Sequence, residues 1–261
     1  MNEAGLAIAG LNFPGYAHYF PLCKSRQNIA SFELIPWLLG QCRTAREAKT
    51  LLRSANICDT PFSEELRPSP LHWMISDKEE SIVVEPMERG LCIHENPVGV
   101  MTNSPPLDYH TTRLRDFMSL SPDAPENSFA PALSLTPYSR GMGAMGLPGD
   151  WSSSSRFIRA AYLRACCVCG DTEEESVSQF FHILGAVSHV RGSVRVNGQQ
   201  EITQYTSCCN TKTGVYYYTT YENSAVTAVD LRLENLDGSD LIVRPMIKKP
   251  QVRIQNAPAA D

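Results

Sequence analysis

The stretch from Leu71 to Thr102 limits the fold more than any other part of this 261-residue sequence. Residues 71–75, 82–85, 91–94 and 98–102 are short β-type runs separated by polar breaks such as Asp77-Lys-Glu-Glu80. Runs of this length bounded by turn-forming residues read as strands, and four in succession predict an antiparallel meander.

The flanking segments carry other patterns. Residues 5–13 are small and apolar and predict a buried strand. A helix is expected over residues 32–41, with Pro36 tolerated in its first turn, where the missing N–H costs least. Thr44-Ala-Arg-Glu47 has the form of a capping box, and Ala48, Leu51, Leu52 and Ala55 then recur at i, i+3, i+4 and i+7, the spacing of one helix face. Residues 119–155 show little period and hold Pro122, Pro125, Pro131, Pro137 and Pro148, so they read as a long irregular segment of functional or linker type. Two helices follow. One is capped among residues 152–155 and runs through 156–169. The next opens on the capping box Thr172-Glu-Glu-Glu175, with Val177, Phe180, Phe181, Leu184 and Val187 on its inner side. Strands at 204–208, 215–221 and 226–231 close the chain. Strands and helices thus come in separate blocks, which predicts a layered α+β fold rather than a doubly wound sheet.

The length fits one large domain over residues 1–261. The formal net charge is −5 with Lys and Arg scattered singly, which excludes the clustered basic face of a nucleic-acid binder. Nine cysteines, an odd number, read as reduced, mostly buried thiols rather than a disulfide framework. The N-terminal residues have no basic segment followed by an apolar one, and no stretch approaches the roughly 20 apolar residues of a membrane span. A soluble cytoplasmic protein without membrane partners is expected.

The short motifs say little alone. Gly141-Met-Gly143-Ala-Met-Gly146 matches G-x-G-x-x-G, but Leu135-Thr-Pro-Tyr-Ser-Arg140 before it and Pro148-Gly149 after it are the wrong context for a dinucleotide site. Cys166 and Cys169 form a C-x-x-C pair with no second pair at zinc spacing, and the six histidines show no metal pattern, so no metal and no cofactor are expected. No G-x-S-x-G elbow is present. Glu173-Glu-Glu175 reads as a helix N-terminus and Asp237-Gly-Ser-Asp240 as a turn.

Longer strings carry more. Asn2-Glu-Ala-Gly-Leu6 with Ala9-Gly-Leu-Asn-Phe-Pro14, Thr102-Asn-Ser-Pro105 with Asp108-Tyr-His110, and Gly146-Leu-Pro-Gly-Asp150 leading to Ser155-Arg-Phe157 resemble the choloylglycine hydrolase family. Gln204-Tyr-Thr-Ser-Cys208 and Tyr216-Tyr-Tyr-Thr-Thr-Tyr-Glu-Asn223 extend that resemblance, in family order, over essentially the whole chain. It implies an N-terminal nucleophile hydrolase, a four-layer αββα sandwich of antiparallel sheets. The activity it implies is cleavage of the amide joining a bile acid to glycine or taurine. Some members cleave penicillin V instead.

In such enzymes an N-terminal cysteine attacks the amide carbonyl, with its own α-amino group as base. By position, Asn103 matches the family's oxyanion-hole carboxamide and Asn12 the partner that supplies a backbone N–H. Arg156 matches the arginine beside the nucleophile, and Phe62, Leu66 and Leu71 match the lining of the steroid pocket. Asn12 also favours bile acid hydrolases over penicillin V acylases, which tend to carry Tyr there. The resemblance further implies conjugated bile acids as ligands and a homo-oligomer, a homotetramer in the family. The sequence departs from the family at its start, because Met1-Asn2 stands where members open with Met-Cys. The expectation is a chain lacking the first strands and the nucleophilic cysteine, and therefore without amidase activity. Alternatives are a penicillin V acylase and a non-catalytic bile acid-binding protein.

Overall fold

The computed structural model describes residues 1–256, which fall into two compact units, Met1–Cys169 and the residues from Gly170 onward. In chain order the first unit contains β1 (Ala7–Asn12), β2 (Gln27–Ala30), α1 (Leu34–Gln41), α2 (Ala45–Leu52) and β3 (Ala55–Cys58). It continues with β4 (Leu71–Ser76), β5 (Ser81–Met87), β6 (Gly90–Glu95), α3 (Leu107–Arg113) and α4 (Ser153–Cys166). β1, β4, β5 and β6 form one antiparallel sheet in that order, and β2 and β3 form a separate parallel pair.

Alternation along the strands gives this sheet two different faces. Trp73 pairs with Val84 and Ile75 with Ile82, and all four are fully buried in one cluster with Leu34, Leu38, Ala45, Ala48 and Leu52 of α1 and α2. The intervening positions turn the other way. They carry buried His72, Val83 and Glu85 and half-buried His94, so this second face holds polar groups. Gly10, opposite Trp73, is needed where it stands, because a Cβ there would come within 3.1 Å of the indole.

The meander is present, with three corrections around it. β1 is an edge strand with Ala9 and Gly10 exposed, not a buried strand; only the flanking Leu6 and Phe13 are buried. Residues 98–102 form no strand. Buried Asn96 bonds the Gly99 N–H and the Val100 carbonyl, and Gly99 takes a φ of +63°, so the chain leaves the sheet after β6. α2 ends at Leu52, so Ala55 belongs to β3 rather than to the helix face.

Helix starts follow their caps. Thr44 Oγ1 accepts from the Glu47 N–H at 3.2 Å, although Glu47 reaches back to the Arg43 N–H rather than to Thr44. Ser152 caps α4, which stops at Cys166, short of Cys169. Residues 119–149 are irregular apart from a short 3-10 turn at Met142–Ala144.

The second unit contains α5 (Glu173–Gly185), β7 (Val194–Val196), β8 (Gln199–Glu201), β9 (Tyr205–Asn210), β10 (Val215–Thr220) and β11 (Thr227–Asp230). β9, β10 and β11 form an antiparallel sheet with β10 central, and the Thr172–Glu175 capping box is complete in both directions. On α5, Val177 is buried but Phe180 is 39% exposed, and Val187 lies beyond the helix. Asn197 and Gly198, at φ +49° and +78°, make the β7–β8 hairpin turn.

Candidate active site

The site grows from the edge of the first sheet. The Phe13 N–H donates to the Pro70 carbonyl at 2.7 Å, continuing the β1–β4 ladder in which Asn12 faces Leu71. Bonded and non-bonded pairs alternate in an antiparallel ladder, so Asn12 is a non-bonded position. Its N–H and C=O therefore both point away from β4, off the outer edge of β1.

Asn103 meets that edge. Its Nδ2 donates to the Asn12 carbonyl at 2.8 Å, and a carboxamide nitrogen carries a second hydrogen for another acceptor. Its Oδ1 accepts from the Arg156 guanidinium at 2.8 Å, and Arg156 also donates from Nε to the Trp151 carbonyl at 3.0 Å. The backbone is fixed as well. The Asn103 N–H donates to Ser153 Oγ at 2.9 Å, and the Asn103 carbonyl accepts from His110 Nε2 at 3.0 Å. Ser153 opens α4, so the helix start that presents Arg156 also holds the loop that presents Asn103. Asp150 reinforces that start: it accepts from the Ser152 N–H and from Ser155 Oγ, and the Ser152 and Ser155 hydroxyls hold its carboxyl well below the usual range.

Beneath lies a buried charge network that sequence reasoning missed. Glu85 is fully buried, and burial alone would raise its pKa. Contacts with His72 and His94 at 3.4 Å and the Leu107 N–H at 2.9 Å outweigh this, bringing it to about 2. His94 bridges Glu85 and Asp108, and the Glu85 carboxylate pushes its pKa up. Burial pushes the His110 pKa down. The signal was a carboxylate in the otherwise apolar run Ile82-Val-Val-Glu-Pro86, at a position that must be buried in a central strand.

Asn12, Asn103 and Arg156 are thus joined by direct hydrogen bonds, and Leu71 is the register partner of Asn12. Phe62 and Leu66 lie apart on the loop between β3 and β4. They are 68% and 59% exposed, with Phe62 edge-on to Phe32 at 5.1 Å. A cleft of about 600 Å³ elsewhere in the unit is lined by Cys23 together with His18, Phe20, Arg26, Ile57 and Leu91 among others. Cys42 and Cys58 are buried, Cys92 lies on β6, and Cys166 and Cys167 stand at the end of α4. Cys208 and Cys209 lie on β9 of the second unit, where burial raises both thiols, Cys208 to about 11. Among the described residues, no group of three or more His, Cys, Asp or Glu is arranged to hold a metal ion, and no helix is long and apolar enough to cross a membrane.

The α+β frame that carries this edge strand, carboxamide and guanidinium has the fold of the N-terminal nucleophile hydrolases. The frame superimposes on a variant of conjugated bile acid hydrolase from Clostridium perfringens with a TM-score of 0.91. Sequence identity is 40%, and the match covers 98% of this chain and 79% of that one. Penicillin V acylase from Agrobacterium tumefaciens shares the fold at TM-score 0.69 and 22% identity, covering 89% of this chain and 65% of that one.

The chain belongs to the linear amide C–N hydrolases of the choloylglycine hydrolase family, whose sequence profile matches residues 1–244. It is 50% identical over 252 residues to a bile salt hydrolase/transferase from Lactiplantibacillus plantarum, spanning 96% of this chain and 78% of that protein. The expected αββα fold class is therefore the one found.

Proposed function

We propose that this protein contributes the charge-stabilising site for hydrolysis of conjugated bile acids. The observation that carries the reading is the hydrogen-bonded set Asn12–Asn103–Arg156. A cysteine thiolate attacks the amide carbonyl, and the carbonyl oxygen takes up the negative charge. The outward Asn12 N–H and the second Asn103 Nδ2–H donate to that oxygen, a pairing of fixed donors that needs no rearrangement as charge develops. Collapse breaks the C–N bond, the amine leaves as glycine or taurine with the proton that the cysteine's α-amino group took from its thiol, and water hydrolyses the resulting thioester. Arg156, held on Asn103 Oδ1, favours the thiolate by its charge.

The sequence begins Met1-Asn2, so the thiol is provided for testing by an extended enzyme, in which the N-terminal segment of the Lactiplantibacillus relative precedes this chain. Leu71 beside Asn12 supplies apolar surface for the steroid, and the family resemblance adds Phe62 and Leu66 from the loop between β3 and β4. The family profile runs through both compact units, which supports reading them as one hydrolase domain. A cytoplasmic homo-oligomer, a homotetramer as in the family, completes the proposal.

A penicillin V acylase is the second reading within the family, and Asn12 opposes it. The test is kcat/KM of the extended enzyme on glycocholate, taurocholate and penicillin V. The bile acid conjugates are expected to be favoured, and an equal or higher value on penicillin V overturns the assignment.

A further inference from the structure

Asn12, Asn103 and Arg156 come from three separate elements, and two buried histidines beside them have no part in the chemistry above. Phe13, which follows Asn12, lies face to face with His72, with ring centroids 4.3 Å apart and an interplanar angle of 6°. His72 Nε2 in turn donates to the Thr102 carbonyl at 2.8 Å. On the other side, Phe157, which follows Arg156, stacks on His110 at 4.8 Å and 17°, and His110 Nε2 donates to the Asn103 carbonyl at 3.0 Å. Both histidines are 2% exposed.

We propose that His72 and His110 are positioning residues of the hydrolytic site, each tying a carbonyl of the Thr102–Asn103 loop to a ring adjoining another site residue. The proposal deepens the reading above and rests on it. A peptide unit is planar, so holding any of its atoms by hydrogen bonds orients the whole plane. The plane before the Asn103 Cα is held at Thr102 O by His72 and at Asn103 N by Ser153. The plane after it is held at Asn103 O by His110. With both planes fixed, φ and ψ of Asn103 are set, and its carboxamide is aimed before any substrate arrives. Carbonyls only accept, so Nε2 carries a proton in both rings. A ring alone fills the space, but only a histidine both stacks and donates here. Glu85 anchors the arrangement by touching His72 Nδ1 and the first N–H of the helix that carries His110.

Two substitutions separate the donor from the ring. His110→Phe keeps the stack on Phe157 and removes the donor, whereas His110→Gln keeps a donor at the Nε2 position without the ring. In the chain as it stands, hydrogen exchange read by NMR is expected to show the Asn103 side-chain amide exchanging about tenfold faster in His110→Phe, with core amides of β5 unchanged. In His110→Gln it remains close to the parent. In the extended enzyme, His110→Phe lowers kcat about 10- to 100-fold with KM nearly constant, because a misplaced donor acts on the transition state. His110→Gln recovers most of that rate.

Unchanged Asn103 exchange in His110→Phe overturns the proposal, as does an equal rate loss in both variants. If His110→Phe does not fold, His110→Asn, whose amide reaches only the Nδ1 position, takes its place with the same expectations. An inactive parental extended enzyme with the exchange pattern intact contradicts the hydrolytic reading instead, so the two failures are distinct.

Discussion

Asn103 and Phe62 sit on loops of the same compact unit, and the two loops are held in very different ways. The Asn103 N–H, carbonyl, Oδ1 and one Nδ2 hydrogen are each bonded to protein, to Ser153, His110, Arg156 and Asn12. The Phe62 loop is tied locally, by Phe62 N to Leu66 O at 3.1 Å and Leu66 N to Ser63 Oγ at 3.2 Å, and its large side chains face outward. A donor for a developing oxyanion is most effective when it does not move. A wall for an apolar substrate gains affinity from contact area and tolerates adjustment. On the proposed function, the rigid loop carries rate and the loose one carries affinity.

The largest effect is expected at the base of the rigid loop. Glu85→Ala leaves His72 and the Leu107 N–H without their buried acceptor and His94 without its ion-pair partner, and breaking such a buried pair costs about 3–5 kcal/mol. Urea denaturation of the chain measures this, and a loss below about 1 kcal/mol shows that the network is not a support.

Next comes the rigid loop itself. In the extended enzyme, Asn103→Ala is expected to lower kcat by about 10²–10³ with little change in KM, as for other lost oxyanion donors. A variant within a few-fold of its parent removes Asn103 from the oxyanion hole.

The pH response of the network has a definite sign. The depressed Glu85 pKa stabilises the native state fully above its ordinary value of 4.5, and this is lost as pH falls toward about 2. The raised His94 pKa works in reverse. Its contribution is complete below the ordinary 6.5 and disappears as pH rises through the higher folded value. The stability deficit of His94→Gln should therefore shrink as pH rises from below 6.5 through the higher folded value. A deficit that grows over this range contradicts the bridge between Glu85 and Asp108.

The smallest effect belongs to the loose loop. Phe62→Ala is expected to change stability by no more than about 0.5 kcal/mol, since the ring is largely exposed. In the extended enzyme it raises KM for taurocholate while leaving kcat nearly constant. A large fall in kcat erases the distinction between the two loops.

Local signals in the sequence reached the meander, the capped helices and the α+β class because they depend on neighbours in the chain. They failed where the determinant was distant. Residues 5–13 look buried by composition, but whether β1 is central or at an edge is decided by its pairing with β4. Residues 98–102 have strand composition, yet the Asn96 side chain turns them out of the ladder. The β7–β8 hairpin is legible in Asn197-Gly198, a hairpin turn pair that depends on neighbours alone. Asn12, Asn103 and Arg156 emerged only through family resemblance, because no spacing rule links residues so far apart. Their hydrogen-bonded contact and the histidines beneath them arise only where distant segments meet in the fold.

The most direct measurement concerns the nucleophile. A polypeptide of these 261 residues has neither a thiol nor a useful nucleophilic side chain at Met1-Asn2, and the donors proposed at Asn12 and Asn103 have no oxyanion to stabilise without one. Triad enzymes stripped of their nucleophile retain roughly 10³–10⁴-fold over water, too little to register against amide hydrolysis in an ordinary assay. Glycocholate and taurocholate are incubated with the purified 261-residue chain and, in parallel, with the extended enzyme, and released glycine or taurine is quantified. The expected result is steady release by the extended enzyme and none by the shorter chain. Release by the shorter chain at a comparable rate contradicts the assignment and directs attention to Cys23, whose thiol the Ser25 hydroxyl holds below the ordinary range. Inactivity of both, with saturable binding of taurocholate, leaves a bile acid-binding protein in place of a hydrolase.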